Sequence, residues 1–358
     1  IISGLLTSGY DEFTDNMLRE FFEDRSSSFS SFSGKNAYGL TLHGQSKDFS
    51  ELSPHFIGSF LRPSFSEKLL KHEKEMILRT LENQDKDPIQ QCFLNLNQIL
   101  FKNHSYSMNI LGSKKSIKSF TKNNLKNTHQ NNLKKKEILF TYCGKSDLSD
   151  ITDFLKKNLD KLDERKKSST NISSIKPIYG KKLFIPFDRE QTQIFLGIPS
   201  GQLGSKYNIF FKMLTTHLYG QSSDLFVEVR DKLGLCYSIQ PVHFTALEAG
   251  YWGIYLASGH DKAIKAIEAI KKLLIKLKQK GIQKKEFLRI KTMIEGQNLL
   301  NIQTNEDYAN VYSIPVLHEK GVDFFYENNK KIKDLKYENF KKKLEEIMNK
   351  DLNIIVVG

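Results

Sequence analysis

Residues 220–239 read GQSSDLFVEVRDKLGLCYSI, and the rest of the chain is interpreted outward from them. Ser222 or Ser223 stands where a helix N-cap belongs, and Asp224 falls in the first turn, where the positive end of a helix favours an acid. Leu225, Phe226, Val229 and Leu233 recur at helical spacing, which predicts an amphipathic helix with one buried stripe. Gly234, free to adopt positive φ, stops it. The following LCYSIQPVHF reads as a strand. Arg230 then lies on the helix and Tyr237 on the strand, and one tight turn can bring the two side chains near each other.

Around this stretch the pattern predicts strands near 182–187, 191–198 and 250–258 and a helix over about 204–219. Helices follow at roughly 261–280, 284–301, 303–318 and 335–348, before a closing strand LNIIVV. Upstream, 1–8 reads as the tail of a helix, and Thr14 caps a second one. Residues 26–33 and 36–43 predict paired strands around Gly34. Helical pieces at about 49–60, 66–83 and 88–102 break near Pro54, Pro63 and Pro88. A short helix near 121–133 leads into a strand, EILFTYC, at 137–143. Residues 156–177 are polar, charged and Ser-rich, a linker composition.

The two halves repeat. SIKSFTKNNLK begins at Ser116 and KIKDLKYENFK at Lys331, an offset of 331 − 116 = 215; ILFTYCG and NIIVVG end at Gly144 and Gly358, 358 − 144 = 214. A period this long marks duplicated domains rather than a solenoid. The expectation is an α+β fold of two tandem homologous domains, each a mostly antiparallel sheet packed on several helices. Their limits are 1–160 and 179–358, with a linker at 161–178.

Composition narrows the function. A length of 358 residues fits two domains of about 150 residues each. The net charge of +13 is spread along the chain rather than clustered among aromatics, which argues against a nucleic-acid interface. The dense runs, Lys134–Lys136, Glu164–Lys167 and Lys341–Lys343, read as solvated faces. Cys92, Cys143 and Cys236 form neither a metal pattern nor a disulfide framework. No stretch is long enough to span a membrane.

Taken with QTQIFLGIPSG, KGIQKKEFLRIKTMIEGQ, SGKNAYGLTLHG and LRPSFSEKLLKHEKEMILRTLENQDKDP, the 220–239 run resembles the insulinase/pitrilysin family of zinc metallopeptidases, specifically their non-catalytic C-terminal half. The resemblance covers nearly the whole chain. It implies a fold like that of LuxS and the mitochondrial processing peptidase. It also implies substrate-binding roles for Arg230, whose guanidinium offers a fixed fork of donors to a peptide carbonyl, and Tyr237, whose phenol can donate to a developing oxyanion. The family's zinc site needs H-x-x-E-H and a distant Glu ligand. Laid over this chain, the base position is Ser3, the second histidine position is Gly4, the downstream helix matches at Glu73, and the ligand Glu position is Thr80. The resemblance therefore implies no metal bound by this chain and no catalytic residue in it. Zinc is expected in a catalytic half, fused upstream or separate, which with peptide substrates makes up the partners. The resemblance further implies that the first domain lacks its opening strands, with Ile1 expected to lie already in the motif helix. A catalytically inactive scaffold or assembly subunit of the same family is the alternative. The compartment, periplasmic or cytoplasmic, is left open.

Overall fold

The computed structural model describes residues 1–159 and 175–358. The expected linker at 161–178 lies almost wholly outside them. The chain forms two compact units: Ile1–Asn83 with the chain from Asn109 onward, and Gln84–Met108 with the remainder to Gly358. This division departs from chain order and from the limits 1–160 and 179–358, because residues 84–108 count with the second unit.

In the first unit, β1 (Gly9–Tyr10) and β2 (Phe13–Thr14) form a minimal antiparallel pair. β3 (Ser28–Ser33) and β4 (Tyr38–His43) form the expected hairpin, in register from Ser28↔His43 to Ser33↔Tyr38. Thr14 caps the helix Asp15–Glu23, its Oγ1 accepting the Met17 N–H. The helix Phe49–Leu61 turns Leu52 into a core with Tyr10, Leu18 and Phe22, and Leu125 of the helix Lys122–Lys135 joins Leu5, Phe65 and Leu70 in a second. Residues 137–143 correct an expectation: they form no strand. Alternation prepares a segment for a sheet, but a ladder needs a partner edge. Here Phe140 and Tyr142 pack instead on the rings of Phe56 and Phe49, with centroids 6.3 and 5.3 Å apart.

The second unit is built on five strands. They are β5 (Lys182–Ile185), β6 (Gln191–Pro199), β7 (Ser238–Thr245), β8 (Gly250–Gly259) and β9 (Asn353–Val357), in the order β5-β9-β6-β8-β7. All neighbours are antiparallel except β5 and β9. Strands covered on both faces read as continuous apolar runs, and β6 and β8 are buried at nearly every position. One face, with Ile194, Leu196, Trp252 and Ile254, packs under the helices Asn208–Leu218, Ala263–Lys280, Lys284–Leu300 and Tyr337–Met348. The other, with Phe195, Tyr251, Tyr255 and Ile355, is covered by Cys92, Leu96 and Leu100 of the helix Pro88–Leu100. Gly197 and Gly253 sit opposite each other because the Phe195 ring lies across both. Beyond this helix, His104 Nε2 lies 2.6 Å from the Glu248 carboxylate, and the Tyr106 hydroxyl accepts the Glu248 N–H at 3.2 Å. The turn between β7 and β8 is thereby tied to the same segment.

Candidate functional site

The site begins at Gly220, whose φ of +95° is open to a residue without a Cβ. Of the two candidate caps the structure uses Ser223: its Oγ donates to Gly220 O at 2.7 Å and accepts the Phe226 N–H at 3.2 Å. The helix that follows, Leu225–Lys232, is a π-helix. This alters the expected stripe. Leu225 and Val229 are buried, but Leu233 is 57% exposed, because a wider turn with i→i+5 bonding carries it out of phase with the buried face. Lys276, on the helix Ala263–Lys280, reaches Glu228 at 2.6 Å and Asp224 at 3.8 Å and braces the π-helix from outside.

Gly234, at φ +56°, reverses the chain, and Leu235 and Cys236 turn inward. Two residues with no distinguishing local pattern hold this reversal. Ser258 Oγ donates to Leu235 O at 2.6 Å, and Lys262 Nζ donates to Gly234 O at 3.1 Å. Each satisfies a carbonyl that neither helix nor sheet can use. A serine at a strand end and a lysine in the next helix carry no local signal of that role. Tyr237 then enters the sheet, its N–H donating to Ala257 O at 2.8 Å.

Arg230 and Tyr237 are both presented to solvent. Tyr237 is 62% exposed, and the Arg230 guanidinium lies over the Phe226 ring, 4.8 Å from its centroid. Burial pushes the Cys236 thiol up to about 11, and Arg230 pulls it the other way, which puts the guanidinium within electrostatic reach of the residue before Tyr237. The two side chains therefore flank one turn at the start of β7. Because β7 is an edge strand, Pro241 is tolerated there without loss of a ladder bond. That proline also denies a further strand one amide along the edge.

Residues 119–294 match the sequence profile described as "Peptidase M16 inactive domain". Residues 119–294 carry this similarity to the inactive domain of the M16 peptidases. The fold agrees. The crystal structure of a peptidase M16 inactive domain from Pseudomonas fluorescens superposes with a TM-score of 0.88 at 18% identity, covering 100% of this chain and 87% of that one. A protease from Helicobacter pylori gives 0.84 at 15%, covering 99% and 87%. In sequence the chain is 26% identical to an "Uncharacterized zinc protease" of Rickettsia felis, over 68% of this chain and 58% of that protein. It is also 26% identical to the "Uncharacterized zinc protease YmxG" of Bacillus subtilis, over 68% and 59%. The chain thus spans less than two thirds of these relatives' length. The resemblance to the non-catalytic half of the insulinase/pitrilysin family is borne out, and so is the α+β fold.

The M16 zinc site does not fit the residues at the corresponding positions. Ser3 is buried and its Oγ is committed to Phe32 O at 2.8 Å. Gly4 has no side chain to offer a metal, and a Cβ there would stand less than 3.0 Å from the Glu73 carboxylate. Thr80 donates to Met76 O at 2.9 Å, within its own helix. A hydroxyl is also a poor zinc ligand beside imidazole or carboxylate. Among the described residues no three His, Cys, Asp or Glu side chains gather as a metal site would need. Nor is any helix among them long and apolar enough to cross a membrane.

Proposed function

We propose that this M16 inactive domain is the non-catalytic half of a zinc metalloendopeptidase, closing a chamber over peptides cleaved by a zinc-bearing half. The reading rests on one observation: Arg230 and Tyr237 flank the same turn and are both exposed, inside a domain whose residues at the zinc positions are Ser3, Gly4 and Thr80. In this role the Arg230 fork holds a backbone carbonyl of the substrate. The Tyr237 phenol donates a hydrogen bond to the oxygen that gains charge as the scissile carbonyl is attacked. The zinc half supplies the metal, the general base and the attacking water.

The test is cleavage of an unfolded peptide by the reconstituted halves. Removing one oxyanion donor costs on the order of 10²-fold in kcat, so Tyr237→Phe is expected to lower kcat with little change in KM. Arg230→Ala is expected to raise KM. Both residues are exposed, so the melting temperature should stay put. Wild-type cleavage by both variants would remove the proposal.

A further inference from the structure

Lys212 lies half-buried on the helix Asn208–Leu218. Its Nζ donates to Asn298 Oδ1 at 3.1 Å, and Asn298 Nδ2 donates onward to Asn329 Oδ1 at 2.8 Å. An ammonium has three protons to give. Among the described residues no carboxylate forms an ion pair with this one, and burial pulls its pKa down. His243 approaches from β7, its ring 5.6 Å from that of Phe211, the residue beside Lys212. His243 Nε2 is buried and, among the described residues, has no hydrogen-bond partner. Burial, with the positive charge of Lys212 second, holds this imidazole down to about 4. It is therefore neutral near pH 7, with one N–H to donate. A half-buried cation whose charge reaches a buried ring nitrogen without a partner among the described residues is an arrangement that an anion relieves twice, by charge and by hydrogen bonding.

We propose that Lys212 and His243, backed by Asn298 and Asn329, form a binding site for a carboxylate of a peptide ligand. The Lys212 ammonium donates to one oxygen and the His243 Nε2–H to the other. A chain-terminal carboxylate and an Asp or Glu side chain present the same two oxygens, so the chemistry is shared and experiment separates the sources. The site stands apart from the role proposed for Arg230 and Tyr237. His243 is 243 − 237 = 6 residues beyond Tyr237 on the strand, roughly 20 Å at ~3.3 Å per residue.

The chain contains one tryptophan, Trp252, and it faces this site. It pairs with His243 across β7 and β8, stacks on Phe211 with centroids 6.0 Å apart, and donates from Nε1 to Thr215 Oγ1 at 3.1 Å. Its fluorescence is the readout. The full chain is titrated with three N-acetylated hexapeptides: one ending in a free carboxylate, its C-terminal amide, and an amide carrying an internal Asp. A saturable change with the free acid, at least 10-fold weaker with the plain amide, supports the site. The Asp-bearing amide then tells a side-chain ligand from a terminal one. Lys212→Met is expected to weaken the acid at least 10-fold, and Arg230→Ala to leave it unchanged. Saturation should raise the His243 proton-resonance midpoint above its value in the free chain. Equal affinity for acid and plain amide on the native chain, wild-type affinity in Lys212→Met, or a Trp252 signal that none of the peptides moves overturns the proposal. The acid-against-amide comparison needs no variant and stands whether or not Lys212→Met folds.

Discussion

At the scale of single residues, His129 shows how a titratable group is locked inside this protein. It is 1% exposed, with Nδ1 3.1 Å from the Tyr38 hydroxyl and Nε2 2.7 Å from the Phe60 carbonyl. A carbonyl only accepts, so Nε2 carries the proton and Nδ1 accepts from Tyr38. Burial lowers its pKa, only partly offset by the Phe60 bond. His55, His217, His243 and His318 are lowered as well, each mainly by burial. Below about 6.5 the unfolded chain takes up protons that the folded chain refuses, so stability is full above that pH and drains as pH falls. Thermal melts should therefore drop steadily between pH 7 and pH 5, and His129→Gln should make that drop shallower. Gly253 makes a second case. A Cβ there would meet the Phe195 ring and the Leu196 carbonyl, so Gly253→Ala should cost about 1–3 kcal/mol in denaturant unfolding, as overpacking does.

At the scale of elements, the repeat read from the sequence reappears in the helix limits. Moving 215 residues along from Ser119, the end of Lys114–Ser119, gives Asp334, the end of Phe324–Asp334; from Lys122 it gives Tyr337, where the next helix starts. Hydrophobic periodicity located most helices and all the long strands, because spacing along the chain is a local property. It missed Lys114–Ser119, Leu148–Leu159 and Phe324–Asp334, whose polar stretches hide a narrow apolar stripe. It also predicted a strand at 137–143, where the apolar residues found aromatic rings instead of a sheet edge. The π-helix was invisible for a related reason: it holds one residue more than an α-helical turn accommodates, and only packing at both ends reveals the excess. Deleting the exposed Asp231 should restore α-helical phase. The expected outcome is a chain that keeps its melting temperature within a few degrees but loses the Arg230-dependent part of peptide affinity. An unaltered affinity would show that the widened turn has no part in presenting Arg230.

At the scale of the whole molecule, the helix Pro88–Leu100 is the informative element. It lies in the first half of the sequence, yet Cys92 and Leu96 are 0% exposed beneath the second unit's sheet. A two-sided sheet must be covered on both faces, and this chain covers one of them with a segment from before the 109–159 stretch. Leu96→Ala should therefore destabilise the second unit by about 2–5 kcal/mol, seen as a loss of Trp252 burial during urea unfolding. A Trp252 transition that keeps its midpoint would contradict this packing.

The sequence by itself determined most of the element types, the long repeat, the family resemblance and the replacement of the motif's base, second histidine and glutamate ligand by Ser3, Gly4 and Thr80, since each is carried by residue identity and spacing. It also placed Arg230 and Tyr237 on either side of one turn. Only the tertiary structure decided which serine caps the helix, that its turn is wide, that Ser258 and Lys262 fix the reversal after it, and that Lys212 and His243 share an unneutralised corner. Those features depend on segments dozens of residues apart meeting in space, and no local pattern in the chain records such a meeting.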